Sequence, residues 1–286
     1  MLAAVQAHAK PTPVTNPQAL RREIEANLRQ LASEVDAAHR DRGFQEALRT
    51  MERFWRYSLF NQFLIRWQHP RATRLAGRKV WESLGRHVKP EAQPIKILAP
   101  SFRAGGQVLF HEVEVFDVRQ TAGRRLASVS LQLKGRTRHA QTLEKAATRL
   151  GIVVAHVALR PGLVGRSMGG RVEIQKGLPE REVAATLVHE LAHELLHQGE
   201  RSRFAQLLRP GPRPTHAERE TEADATAYVV LAALGLPSKA PRYIAWQGGT
   251  GQVVLRSLRR VQQAARRILE VVEEGDLAPR RVVRDS

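Results

Sequence analysis

Three histidines and two glutamates fall within nine residues, His-Glu-Leu-Ala-His-Glu-Leu-Leu-His at 189–197. Histidines four apart on a helix share a face, so two imidazoles can reach one cation. Neutral imidazole with carboxylate is a donor set that suits zinc, and a catalytic site leaves its fourth position to water. The glutamate after the first histidine then stands beside the cation, placed to take a proton from that water. The spacing occurs twice in overlap, as His189-Glu190…His193 and as His193-Glu194…His197. The second register puts the cation at the last helical turn, beside Gly199. The first lies deeper, among Val183, Leu187, Val188, Leu191 and Leu195, whose burial would keep the ligands rigid. The first is favoured, with Glu190 as the base and His197 behind the ligands or at the surface.

A third ligand must be His, Asp or Glu, because the chain has no cysteine. The stretch 216–230, HAERETEADATAYVV, is dense in carboxylates. Glu220 and Asp224 are four apart on one helical face. That suits a ligand glutamate with a carboxylate one turn on, able to accept the N–H of a metal-bound histidine. Glu222, about 200° around the helix, is the competing ligand. His216 and Tyr228 are candidates for stabilising an oxyanion, by proximity to the ligand helix.

These residues need elements to hold them. Periodicity predicts helices over 17–39, 44–68, 140–150, 179–198, 215–234 and 252–273. Short strands are expected between 71 and 135, at 96–98, 108–118 and 127–133, forming a small antiparallel sheet packed on the first two helices. Strands are also expected at 152–159 and 171–175. The edge of the latter could take up an extended peptide. Residues 199–214 read as a surface loop. The final helix turns Val254, Leu258, Val261, Ala265, Ile268 and Val272 to one side and Arg256, Arg259, Arg260, Arg266 and Arg267 mostly to the other.

Charge separates the two halves. The net charge is +18, and residues 53–103 hold 11 Lys/Arg against only Glu82 and Glu91. Such a block points to a polyanion, nucleic acid before membrane. Phe44, Phe54, Trp55, Tyr57, Phe60, Phe63, Trp67 and Trp81 are interleaved with these cations. Aromatics that stack bases beside cations that follow phosphates are what single-strand binding requires. Phe44, Phe54, Trp55 and Phe63 lie on an apolar stripe and are expected in the core, whereas Tyr57, Trp67 and Trp81 are better placed to stack. The N-terminus does not read as a signal peptide and no apolar run is long enough to span a bilayer. A protein without membrane association, of the cytoplasm, is expected.

The stretch YSLFNQFLIRWQHPRATRLAGRKVWESLGRHVK (57–89), with PIKILAP (94–100) and VEVFDVRQT (113–121), resembles the N-terminal single-stranded-DNA-binding domain of the ArdC antirestriction family. The second half resembles the gluzincin-like metallopeptidase domain of the ArdC and ImmA/IrrE families. The resemblance implies an α+β fold: N-terminal helices on a small antiparallel sheet (17–133), a zinc metallopeptidase domain (140–250), then a basic C-terminal helix and tail (251–286). It implies one zinc ion on His189, His193 and Glu220, Glu190 as catalytic base, and Asp224 paired with Glu220 in one helix. DNA contacts are expected from Arg53, Tyr57, Asn61, Arg66, Trp67, Arg74, Lys79, Trp81, Arg86 and Lys89. The implied function is a zinc endopeptidase that binds single-stranded DNA and cuts a DNA-bound or regulatory protein, in antirestriction or a DNA-damage response. A bacterial, phage or plasmid origin goes with it. The alternative is a non-proteolytic protein that coats single-stranded DNA and carries a structural zinc. The loop 199–214 departs from the family pattern. The sequence names neither the protein substrate nor the oligomeric state.

Overall fold

The computed structural model describes residues 41–102, 108–126, 139–198, 214–236 and 251–277. The helix expected at 17–39, the strand at 127–133 and the loop at 199–213 lie outside the described residues. The described residues form two compact units: one takes 56–126, the other takes 41–55 and everything from 139 onward. Both mix helices with small sheets, so the chain is of the α+β class. Among the described residues no helix is long and apolar enough to cross a membrane.

The helix expected over 44–68 is two helices, α1 (Asp41–Phe54) and α2 (Leu59–Gln68). The break has a local cause: the Ser58 side chain accepts from the Asn61 backbone N–H, which caps a new helix. The Gln62 side chain also donates to the Tyr57 carbonyl. The apolar stripe continues across the break and hid it. The first domain was expected to run from 17 to 133, whereas α1 belongs to the second unit.

In the first unit, α2 is followed by β1 (Leu75–Ala76), α3 (Arg78–Ser83), β2 (Arg86–Val88), β3 (Ile95–Phe102), β4 (Val108–Asp117) and β5 (Thr121–Gly123). An antiparallel sheet of order β1-β4-β3 and a β2-β5 pair surround a core of Ala76, Trp81, Val88 and Phe116. The buried Asp117 carboxylate accepts from the backbone N–H groups of Thr73, Arg74 and Arg119, which pins the basic segment before β1.

The second unit continues with α4 (His139–Arg149), β6 (Val153–Val157), β7 (Gly165–Ser167), β8 (Arg171–Gln175), α5 (Glu180–Leu196), α6 (His216–Ala233) and α7 (Gly251–Leu277). Its sheet has the order β6-β8-β7, with β6 parallel and β7 antiparallel to β8. The strand 171–175 is therefore central rather than an edge able to accept a peptide. The edge is β7. The helix α7, expected as a separate C-terminal segment, is part of this unit's core: Leu258, Val261, Ala264, Ala265, Ile268 and Leu269 are fully buried.

Candidate metal centre

Helix α5 carries the overlapping motif on a well-buried frame, since Leu187, Val188 and Leu191 have no exposed surface. Its neighbour α6 starts at a capping box, in which the Thr215 side chain accepts from the Glu218 N–H and Glu218 accepts from the Thr215 N–H. Four residues after its first residue comes Glu220. The pairing of α5 with α6 brings His189, His193 and Glu220 together, their donor atoms all within 4.8 Å of one another.

The two imidazoles stand near the separation a tetrahedral ion requires, and Glu220 faces them with one carboxylate oxygen toward each. Metal–donor bonds of 2.0–2.1 Å at tetrahedral angles place donors about 3.3 Å apart. Here the two Nε2 atoms of His189 and His193 are 3.1 Å apart. The Glu220 oxygens lie 3.6 Å from His189 Nε2 and 3.5 Å from His193 Nε2. Asp224 Oδ1 is 3.0 Å from His189 Nδ1. A carboxylate can only accept there, so Nδ1 carries the proton and Nε2 presents its lone pair to the site. The donor set fits a divalent cation.

Protonation equilibria in the site are pulled apart. Burial alone would lower the pKa of His189, but the hydrogen bond and charge of Asp224, together with the charges of Glu190 and Glu220, outweigh it and raise the net value. Burial, reinforced by His189, lowers that of His193 to about 4. Burial raises Glu190 to about 6, helped by the negative charges of Glu220 and Glu194 and opposed by His189. A carboxylate tuned toward neutrality can both take up and release a proton near physiological pH. The edge strand reaches Glu190 at Gly165, where a Cβ would stand 3.0 Å from both Cγ and Oε1 of Glu190 and 2.4 Å from Thr186 Cγ2. Only glycine lets the strand lie this close.

The second register does different work. Buried Glu194 accepts from the Ser167 hydroxyl and the Met168 N–H at 2.9 and 2.8 Å, and from the N–H groups of Gly169 and Gly170 at 2.8 and 2.6 Å. Those four donors hold the β7–β8 turn, in which Gly169 and Gly170 both have positive φ (78° and 92°), as a primed two-residue hairpin turn requires. Glu194 is thus committed to holding this turn. Nor is His197 at the surface, because its side chain is buried, with 4% exposure.

Other expected roles also change. Glu222 is buried against the Arg260 guanidinium, 3.1 Å away, and 3.7 Å from His197 Nε2, and is not grouped with His189 and His193. Tyr228 turns its hydroxyl to Glu52 on α1, which removes it as an oxyanion stabiliser. Its pKa rises through burial and that bond. His216 is exposed, with Nδ1 3.7 Å from Glu220 Oε1.

In the first unit several expected DNA contacts have structural duties. Trp81 is buried, its indole N–H donating to the Phe116 carbonyl at 3.0 Å. Asn61 is buried and bonds the Leu98 backbone through both amide atoms, clamping α2 to β3. Arg86 directs its guanidinium to the backbone carbonyls of Thr121, Gly123 and Arg124. Tyr57 is half-buried, and burial pushes its hydroxyl up to about 12. Trp67, 54% exposed, and the exposed Arg74 and Lys79 remain at the surface. Arg66 and Lys89 are half-buried, and Arg53 is exposed but lies on α1 in the second unit.

Among solved structures, this chain is similar to ArdC. The metal-free crystal structure of that antirestriction protein, from plasmid R388, is 16% identical over 76% of this chain and 86% of that one, with a TM-score of 0.44. Its Mn(II)-bound structure is 16% identical over 76% and 85% of the two chains, with a TM-score of 0.45. No family model and no curated protein matches the chain.

Proposed function

We propose that the chain is a zinc-dependent metalloendopeptidase whose N-terminal unit binds single-stranded DNA. The observation that carries the hydrolytic reading is the triad His189, His193 and Glu220, with donor atoms within 4.8 Å of one another, beside Glu190. Structural zinc sites close on four protein ligands, whereas catalytic ones keep three and an open position. Among the described residues the group has three donors. That favours catalysis over a purely structural ion.

A divalent cation bound by this triad would supply Lewis acidity toward a carbonyl oxygen and toward water. The remaining work belongs to side chains. Asp224 holds the His189 ring and its tautomer. Glu190, with its pKa near 6, accepts a proton from the attacking water and delivers it to the leaving amine nitrogen. The close strand at Gly165 fixes the position of Glu190 from the other side.

The DNA reading rests on the net positive charge of residues 53–103 and on the exposed Trp67, Arg74 and Lys79. With Trp81 and Asn61 in structural roles, stacking falls to Trp67. The protein cut would be one bound to DNA. Incubating the purified chain with a denatured protein pool tests the hydrolytic reading: new N-termini should form with zinc, vanish with a chelator and return on adding zinc back. Cleavage that persists in the chelator sinks it.

A further inference from the structure

Behind the metal donors lies a buried polar cluster that the proposed chemistry does not use. Arg260 of α7 is only 8% exposed, and Glu222 of α6 only 1%. One guanidinium reaches two ligand-bearing helices. Its NH2 donates to the Leu196 carbonyl, at the last residue of α5, over 2.7 Å, and its Nε donates to Glu222 over 3.1 Å. The carbonyls of a helix's last turn lack helical partners and carry its negative dipole end, so a cation there satisfies both needs.

The same guanidinium lies 3.4 Å from His197 Nδ1. Since arginine only donates, Nδ1 is the acceptor and the proton sits on Nε2. That nitrogen is 3.2 Å from the carbonyl of Arg219, the residue before Glu220. Burial, with the nearby Arg260 charge, lowers the His197 pKa in the same sense. A chain of hydrogen bonds therefore runs from α7 through the end of α5 to the backbone beside the third donor. Ser257 also bonds Glu222, whose pKa is raised by burial despite these partners.

Resting on the reading of His189, His193 and Glu220 as a metal centre, we propose that Arg260 and His197 are positioning residues for that centre. They set the height of α6 against α5, and so the distance from Glu220 to the two imidazoles. The histidine that makes the motif look doubled is thus a brace between helices and not an alternative ligand.

The test uses the full-length chain stripped of metal. Zinc affinity is read by competition with a chromophoric chelator, and site geometry by the visible absorption of the Co(II)-loaded protein. Arg260→Met should weaken zinc binding about tenfold, the lower end for residues supporting a metal ligand, and should alter the Co(II) spectrum. Leu258→Ala, an equally buried change on α7, should lower the denaturation midpoint yet leave affinity within about twofold and the spectrum unchanged. If both variants lose affinity in proportion to stability, or Arg260→Met loses none, the proposal is overturned. Arg260→Met with Glu222→Leu removes both buried charges and guards against a single variant that does not fold. It should recover stability while zinc binding stays weak, and recovery of both overturns the brace. If the unsubstituted chain binds no zinc, or keeps it in a His189→Ala, His193→Ala double variant, the metal centre itself fails.

Discussion

Gly165→Ala is a one-carbon perturbation whose consequences can be worked from distances. The new methyl would stand 2.4 Å from Thr186 Cγ2 and 3.0 Å from Cγ and Oε1 of Glu190. Carbon pairs settle at about 3.5–4.0 Å, so something must retreat by roughly 1 Å. The strand resists: Gly165 is paired with Ile174 of β8, and the turn beyond it is fastened by Glu194. The displacement therefore falls on Thr186 and Glu190. Overpacking of this kind costs about 1–3 kcal/mol; the retreat of about 1 Å falls on Thr186, while Glu190 must give by only a few tenths of an ångström. We expect a lower urea midpoint and slower peptide cleavage, by less than the roughly hundredfold of a full 1 Å misplacement, with zinc affinity changed by less than about twofold. Thr186→Ser removes the nearer clash and should restore part of the stability but little of the rate, since the contacts with Glu190 remain. A Gly165→Ala protein with unchanged midpoint and rate would refute the packing of β7 on α5. So would a Thr186→Ser change that restores nothing.

Acid should strip the metal in a defined direction. A ligating imidazole must be neutral, and the pKa of His189 is raised, so zinc affinity measured by chelator competition should start to fall at a higher pH than for an ordinary histidine. Cleavage should rise with pH through about 6 as Glu190 loses its proton, and a profile flat between pH 5 and 7 would exclude it as the base. Glu194→Ala should free the β7–β8 turn, seen as faster amide exchange at residues 168–170, and should weaken cleavage more than zinc binding. Loss of zinc equal to that in His193→Ala would instead make Glu194 part of the centre. Trp67→Ala should weaken binding to a single-stranded oligonucleotide by about 1–3 kcal/mol, the usual worth of one stacked base, measured by fluorescence anisotropy at fixed salt. Asn61→Ala should act through the stability of the α2–β3 clamp, and equal folded-state losses of affinity in both would argue against that division.

Residue types and spacing carried much of the second unit. Two histidines one turn apart and a glutamate–aspartate pair one turn apart were legible because a helix's period fixes which side chains share a face. What spacing left open was which of two identical HExxH patterns meets the third donor. That depends on a turn at 167–170 that captures Glu194, and on α7, which captures Glu222. Neither is near in sequence. Arg260 was placed with the outward cations because α7 reads as amphipathic. In the structure this helix is buried on several sides, and one arginine points inward to satisfy helix-end carbonyls. In the first unit, a tryptophan with an indole N–H suits a core with a free carbonyl as well as it suits a base. Phe116 O settles the matter for Trp81. The missed helix break had a local signal, Ser58 as a cap, which the uninterrupted apolar stripe outweighed.

Glu190→Gln separates metal binding from proton transfer. The substitution keeps the shape of the side chain and removes its capacity to accept the proton. Both proteins should be loaded to equal zinc content and incubated with the same peptide library, alone and with single-stranded DNA, and new N-termini counted by mass spectrometry. Cleavage is expected from the unsubstituted chain and none above background from Glu190→Gln at unchanged zinc content. Equal cleavage by the two proteins would contradict Glu190 as the base.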